Sequence, residues 1–86
     1  MEFEFDRRKS LANKTKHGID FTEVKELWND PDLIEIPARI EDEPRWVLVG
    51  RIGDRCWSAV VIYRADRLRI ISVRRARKEE ISIYEG

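Results

Sequence analysis

The chain has 86 residues, which is enough for one domain with one hydrophobic core. Hydrophobic residues make up 42% of it and charged residues 40%, a balance that excludes a disordered polyampholyte and indicates a folded, highly charged globule. The formal net charge is zero, so total charge by itself gives no reason to expect a nucleic acid as partner.

The N-terminal segment predicts a short strand followed by a helix. Residues 2–5 alternate polar and apolar side chains, as a short edge strand does. Asp6 is a suitable N-cap for a helix from about residue 7 to residue 16, and Gly18 suits the left-handed residue that ends it.

This first helix is poor in apolar residues. Leu11 and Ala12 are the only side chains that it offers for packing. Lys9, Asn13 and Lys16 recur at spacings of four and three, which predicts that they form one polar stripe.

A second helix has clearer start and stop signals. Asp20 and Glu23 have the spacing of a capping box, and Ile19 and Val24 that of a hydrophobic staple. Apolar side chains then follow helical spacing until the segment 29–31, Asn-Asp-Pro, which predicts an amphipathic helix ending there.

From residue 33 onward the hydrophobic period changes to two, which predicts strands. A run rich in β-branched and aromatic residues, 56–63, is apolar on both faces and is therefore predicted to be the central strand. The expected fold is α+β in the order β-α-α-β-β-β-β-α, an antiparallel sheet with two N-terminal helices and a C-terminal helix. The remaining elements are strands at 33–36, 45–51 and 68–73 and a helix from 76 to about 84.

Basic side chains concentrate in two segments that lie far apart in the chain. Residues 7–17 contain five Lys or Arg together with His17 and no acid, and residues 64–78 contain seven Lys or Arg with Asp66 as the only acid. Nine acids lie between Asp20 and Glu43. If folding brings the two basic segments together, a neutral protein has a positive face that suits nucleic acid. The alternative is that these segments are ordinary solvated surfaces.

Strand geometry limits which arginines can act together. In a regular strand Arg69 and Arg74 point to opposite faces, so both reach one phosphate only if a bulge intervenes or Arg74 lies beyond the strand end. We favour the second arrangement, because a helix is expected to begin soon after Arg75.

Candidate chemistry rests on cations, one histidine and one tyrosine. The sequence has no metal-ligand spacing, no phosphate-binding glycine loop and no specific catalytic triad, and Cys56, the only cysteine, is expected to be a buried structural thiol. Cleavage of RNA by its own 2′-hydroxyl needs only phosphate alignment, proton transfer and charge stabilisation, which His17 and neighbouring cations are able to supply. The prediction is therefore a ribonuclease without metal or other cofactor.

Several segments resemble the BrnT toxins, the DUF497 family, and the resemblance covers nearly the whole chain. They are Phe3-Glu4-Phe5-Asp6 with Lys9 and Asn13, Lys16-His17-Gly18-Ile19-Asp20-Phe21, Arg45-Trp46 with Gly50, Arg69-Ile70-Ile71-Ser72-Val73-Arg74-Arg75-Ala76, and Glu80 with Tyr84-Glu85.

This resemblance implies a RelE-like fold and a metal-independent ribonuclease toxin of a type II toxin-antitoxin system that inhibits translation and growth. It also implies neutralisation by a BrnA-like ribbon-helix-helix antitoxin, operator DNA contacted only through that antitoxin, and a dimer within the antitoxin complex. The chain departs from the family pattern at Arg77, which replaces a Thr that would cap the last helix, and at Val73, where Ala is common.

The sequence and the resemblance together predict one BrnT-like domain, residues 1–86, located in the cytoplasm and not associated with a membrane. The rival interpretation is a non-catalytic module whose basic face docks an acidic antitoxin segment or nucleic acid, and Tyr84 is equally compatible with a packing role. Eight residues form the predicted site: Lys16, His17, Arg74 and Tyr84 for catalysis, with Arg74 stabilising the phosphorane, and Lys9, Arg51, Arg69 and Arg75 for binding RNA phosphates.

Overall fold

The computed structural model of the chain describes residues 2–38 and 42–86, and the element order in it is the predicted one. The second helix is a 3-10 helix, Glu23–Asn29, and residues 39–41, between the predicted strands 33–36 and 45–51, lie outside the described part. The other elements are β1 (Glu2–Glu4), α1 (Arg7–His17), β2 (Ile34–Pro37), β3 (Trp46–Ile52), β4 (Arg55–Arg64), β5 (Arg67–Arg75) and α2 (Lys78–Glu85).

The five strands form one mixed sheet in the order β1-β5-β4-β3-β2. β4 is central, as predicted, and its pairs with β3 and β5 are antiparallel, as is the pair of β2 with β3. The prediction of a purely antiparallel sheet is wrong, because β1 runs parallel to β5. These are the first and last strands of the chain, so no tight hairpin connects them and forces an antiparallel pair.

The predicted helix start and stop signals are confirmed. Asp6 accepts hydrogen bonds from the backbone N–H groups of Arg8 at 2.8 Å and Lys9 at 3.2 Å, and Gly18 ends α1 with a φ of 81°. At the 3-10 helix, Asp20 accepts from the Glu23 N–H at 2.7 Å and Glu23 accepts from the Asp20 N–H at 3.0 Å. Side-chain to backbone hydrogen bonds between residues close in sequence therefore determine where both helices begin.

The hydrophobic core lies between one face of the sheet and the segment that contains α1 and the 3-10 helix. Leu48, Ala59 and Val73 pair across β3, β4 and β5 and so share this face. The largest fully buried side chains of the segment that covers them are Phe21, Val24 and Leu27.

A bulge in β5 decides where its arginines point. Ser72 pairs with Val60, whereas Ile70 pairs with Val61, so Ile71 is an extra residue on β5. The strand continues to Arg75, and the prediction that Arg74 lies beyond its end is wrong.

Because of the bulge, the alternation of side chains shifts by one residue. Arg69 and Arg74 share the face that α2 covers, and Arg75 points to the opposite face, which α1 covers.

Polar side chains attach α1 to the rest of the molecule. Leu11 is 65% exposed, and the buried residues of α1 are Ser10 and Asn13. The Asn13 amide donates to the Ile19 carbonyl at 2.8 Å and accepts from the Val73 N–H at 3.2 Å, and Ser10 accepts from the Phe21 N–H at 2.9 Å. The predicted polar stripe is therefore wrong at Asn13, which turns inward because it satisfies backbone groups of the next turn and of β5.

No helix in the described part of the chain has the length and apolar character needed to cross a membrane.

Replacing Asn13 by Ala should lower the free energy of unfolding by about 1–3 kcal/mol, because a buried carbonyl and a buried N–H lose their partner. Urea denaturation measures the effect. Thr15→Ala is the matched control on α1, since the Thr15 hydroxyl makes only an exposed bond to the Leu11 carbonyl. It should change stability by less than about 0.5 kcal/mol. Equal stability of the two variants would show that Asn13 does not hold α1 in place.

Candidate functional site

Three arginines meet at one end of the sheet. Strand register places Trp57 beside Arg75 on one side and beside Gly50 on the other, and the next pairs along β3 and β4 are Arg51 with Cys56 and Ile52 with Arg55. The C-terminal end of β3, the N-terminal end of β4 and the C-terminal end of β5 therefore carry Arg51, Arg55 and Arg75, all exposed.

The C-terminal end of α1 reaches the same place. The start of the helix lies near Arg69. The pKa of Asp6, the N-cap, is lowered mainly by hydrogen bonds from the Lys9 and Arg8 N–H groups and to a smaller extent by the charge of Arg69. Further along, Asn13 of the helix contacts Val73 of β5. The helix therefore advances along β5 in the direction of that strand. His17 lies about 6 Å beyond Asn13 along the helix, and Arg75 lies about 7 Å beyond Val73 along the strand.

The two basic segments of the sequence thus meet at one end of the sheet, which we call the basic end, with Arg51 on the face opposite Arg75. Arg77 belongs to it as well, because the preceding Ala76 donates its N–H to the Cys56 carbonyl at 3.0 Å. The members of the basic end are Lys16, His17, Arg51, Arg55, Arg75 and Arg77.

Ion pairing separates the basic end from the arginines at the opposite end of the sheet. At the opposite end of the sheet, Arg64, Arg67 and Arg69 pair with Glu2, Glu4 and Glu43, at nitrogen–oxygen distances from 2.7 to 3.8 Å. Within residues 2–38 and 42–86, no carboxylate lies within 4.0 Å of a basic group of the basic end. A protein with zero net charge therefore has a positive surface at one end.

Arg75 is held over an aromatic ring. The carbon of its guanidinium lies 5.6 Å from the centroid of the Trp57 ring, a cation–π arrangement, and Trp57 is 7% exposed. The ring supports the arginine without neutralising its charge, so Arg75 is oriented and remains available to an anion.

Arg74, in contrast, is bound by a carboxylate. Its two terminal nitrogens each lie 2.8 Å from an oxygen of Glu80, and Glu80 also accepts from the Ser58 hydroxyl at 2.8 Å and the Arg77 N–H at 2.8 Å. Hydrogen bonding from Arg74 is the main cause that lowers the pKa of Glu80 to about 2, although partial burial opposes it. Glu80 thereby secures the start of α2 where a capping Thr is missing.

Tyr84 also has an internal partner. Its hydroxyl donates to Asp30 at 2.6 Å, and this bond together with burial raises the pKa of Tyr84 to about 12. Asp30 further accepts from the N–H groups of Arg51 at 2.8 Å and Asp32 at 2.9 Å. Burial alone would raise the pKa of Asp30, but these hydrogen bonds outweigh it and lower the pKa. Asp30 thus joins the end of α2 to β3 beside a cleft of about 360 Å³.

The site predicted from sequence is therefore only partly assembled. The structure brings Lys16, His17, Arg51 and Arg75 to the basic end. Arg69 lies at the far end of the sheet, 3.7 Å from Glu4, and Lys9 lies two helical turns before Lys16.

Two members of the basic end, Arg55 and Arg77, are missing from the sequence-based site. The Gly53-Asp54 turn contained a signal for Arg55, because a tight hairpin places the residues after the turn beside those before it.

No group of three or more His, Cys, Asp or Glu side chains in the described segments is placed to hold a metal ion. Cys56 is buried, as predicted.

Comparison with known families adds an independent finding. The family model described as "Ribonuclease toxin, BrnT, of type II toxin-antitoxin system" matches residues 5–80. The match includes every residue of the predicted site except Tyr84. No curated protein matches the chain.

The pairing of Glu80 with Arg74 predicts a specific loss of stability in acid. The pKa of Glu80 is about 2 in the folded protein against an ordinary 4.5, so its stabilising contribution is complete above about pH 5 and disappears as the pH falls towards 2. Glu80→Gln should therefore be destabilised near neutral pH and converge with wild type in acid. The difference in unfolding free energy should shrink by on the order of 2–3 kcal/mol.

Urea denaturation at a series of pH values measures this convergence. Glu79→Gln is the matched control, because Glu79 is an exposed residue in the same helical turn. A pH-independent gap between wild type and Glu80→Gln would contradict the ion-pair assignment.

Proposed function

Because the chain belongs to the BrnT family of ribonuclease toxins of type II toxin-antitoxin systems, we propose that it cleaves single-stranded RNA at the basic end. The observation that supports this location is the charge separation of the molecule: basic side chains without carboxylate partners gather at the same end of the sheet as the only histidine. RNA phosphates are attracted to such a surface.

The proposed reaction is attack of the RNA 2′-hydroxyl on the adjacent phosphorus. The 2′-oxygen loses its proton to a base and forms a bond to phosphorus, while the bond from phosphorus to the 5′-oxygen breaks and that oxygen gains a proton. The products end in a 2′,3′-cyclic phosphate and a 5′-hydroxyl. DNA lacks the nucleophile and is not a substrate. No metal is required, because arginine and lysine stabilise the charge of the phosphorane.

Each of four side chains of the basic end has a proposed role in the reaction. His17 is the proton-transfer group, since an imidazole has one nitrogen that accepts a proton and another that donates one, and Lys16 beside it is the alternative. Arg75 stabilises the phosphorane, because its guanidinium is oriented by Trp57 and keeps its charge. Arg51 binds a flanking phosphate.

The other predicted residues keep weaker support. Arg74 and Tyr84 act directly only if they leave Glu80 and Asp30, and Arg69 only if it leaves Glu4. Lys9 is a candidate for a more distant phosphate of the same RNA.

The biological setting is also a proposal, and the family resemblance supports it. In this setting the fold is RelE-like, the protein acts in the cytoplasm, and cleavage inhibits translation and growth. A ribbon-helix-helix antitoxin neutralises the toxin, forms a complex with it that contains a toxin dimer, and carries the contacts to operator DNA. Expression with and without the adjacent gene tests this setting, and toxicity that the neighbour does not relieve counts against it.

The purified protein should cleave single-stranded RNA in EDTA and leave 2′,3′-cyclic phosphate ends. Arg75→Ala should reduce the rate by about 10²–10³-fold, the effect of removing one preorganised charge stabiliser. Arg8→Ala, which removes the same charge from an exposed position near the start of α1, should cleave like wild type. Gel analysis of end-labelled RNA measures both rates, and thermal denaturation confirms that the variants are folded.

Three outcomes of this experiment would change the assignment. Loss of cleavage in Arg74→Ala with full cleavage by Arg75→Ala would transfer the stabilising role to Arg74. Full cleavage by Arg74→Ala, Arg75→Ala and His17→Gln would place the reaction elsewhere. RNA binding without any cleavage would support the rival function, a non-catalytic binding module.

A further inference from the structure

A groove lies on the core face of the sheet, far from the basic end. Its volume is about 350 Å³, and it opens between the 3-10 helix and the strands β2, β3 and β4. Tyr63, on its wall, lies six residues along β4 from Trp57, a separation of about 20 Å. The lining residues are Trp28, Leu33, Ile34, Glu35, Leu48 and Tyr63.

Aromatic and aliphatic side chains form most of this groove. Tyr63 is 36% exposed and Trp28 is half-buried, so two rings face the opening, and Leu33 and Leu48 supply apolar surface below them. The Trp46 ring packs edge-on against Tyr63 with a centroid separation of 6.5 Å. This contact holds the Trp46 and Tyr63 rings in place.

One carboxylate lies among these rings. Glu35 pairs with Leu48 across β2 and β3 and therefore shares the core face with Leu48 and Tyr63. Its Oε2 atom accepts a hydrogen bond from the Tyr63 hydroxyl, whereas its Oε1 atom accepts none from the described residues. The groove thus combines two aromatic rings with an exposed carboxylate, one oxygen of which the Tyr63 hydroxyl binds.

The surroundings of the groove are also acidic. The 3-10 helix, β2 and the turn between them carry five acids, Glu23, Glu26, Asp30, Asp32 and Glu35, against one base, Lys25. The Lys25 ammonium lies 5.6 Å over the Phe3 ring. Arg64 follows Tyr63 but points to the opposite face and pairs with Glu43 at 2.7 Å. Glu35 is the one charged residue among the described residues that line the groove, so the groove wall carries a negative charge, opposite in sign to that of the basic end.

We propose that this groove binds a lysine or arginine side chain from a basic segment of a protein partner. The apolar walls match the aliphatic stem of such a side chain, the faces of Trp28 and Tyr63 attract its cationic head, and Glu35 provides a charge-assisted hydrogen bond. In the proposed setting the partner is the antitoxin, which then contacts the toxin at a surface separate from the RNA site. The binding does not depend on RNA cleavage.

The tryptophans allow a direct test, because their indole N–H resonances in NMR spectra report on different places. Trp28 and Trp46 report on the groove and Trp57 on the basic end. The probe is the dipeptide acetyl-Leu-Arg-amide, and the comparison is acetyl-Leu-Glu-amide. The arginine peptide should shift the Trp28 and Trp46 resonances in a saturable way and leave Trp57 unchanged, and the glutamate peptide should not shift Trp28 or Trp46.

Variants of equal charge change sharpen the test. Glu35→Gln preserves the shape of the groove and should weaken binding of the arginine peptide by roughly three- to tenfold, the range for one partly exposed charge-assisted contact. Glu79→Gln makes the same charge change on α2 and should bind like wild type. An unshifted Trp57 resonance in each variant verifies that the fold is intact.

Other occupants give different results, each of which would overturn the proposal. Equal shifts with both peptides, or no shift at the solubility limit of the arginine peptide, would mean that the groove does not select a cation. Changes in Trp28 and Trp46 on dilution of the protein alone would mean that a second copy covers the groove. Shifts of Trp28 and Trp46 upon addition of an RNA oligonucleotide would identify it as an RNA surface.

Discussion

The two hydrogen bonds of the Asn13 side chain determine where the candidate site forms. α1 buries no apolar side chain, so hydrophobic packing does not set its position. Asn13 bonds to the Ile19 carbonyl and to the Val73 N–H, and it thereby ties the helix both to the turn that follows it and to the open edge of β5. Because a buried polar group without a partner is costly, these hydrogen bonds define the position of the helix more specifically than apolar packing would. It brings Lys16 and His17 to the end of the sheet where Arg75 lies.

Charge is separated within a molecule whose total charge is zero. Acids of β1 and the β2–β3 loop pair with the arginines near the β4–β5 turn. At the other end Arg74 pairs with Glu80, but Arg51, Arg55, Arg75 and Arg77 have no carboxylate within 4.0 Å among the described residues. Glu35 of β2 lies on a third side, in the wall of an aromatic groove. The molecule thus presents two surfaces of opposite sign, for which we propose RNA and a basic protein segment as the respective ligands.

The two neighbouring arginines of β5 illustrate how position decides the role of a side chain. Arg74 is held on both terminal nitrogens by Glu80 and so connects β5 to α2. Arg75 points the other way, over Trp57, without a carboxylate partner among the described residues. Both have the same chemistry, but only one retains a charge available to a ligand. Tyr84 is comparable to Arg74, because its hydroxyl donates a hydrogen bond to Asp30 within the protein.

The sequence by itself determined the elements and their caps, because these depend on residues a few positions apart: Asp6 and Gly18 bound α1, and Asp20 with Glu23 begin the 3-10 helix. It also indicated the central strand, the buried Cys56, the family and four of the residues that meet at the basic end. Only the tertiary structure decided the parallel β1–β5 pair, the bulge at Ile71 and the partners of Arg69, Arg74 and Tyr84. Each of these depends on a contact between residues that spacing along the chain does not relate, and a single inserted residue in a strand reverses every side chain after it.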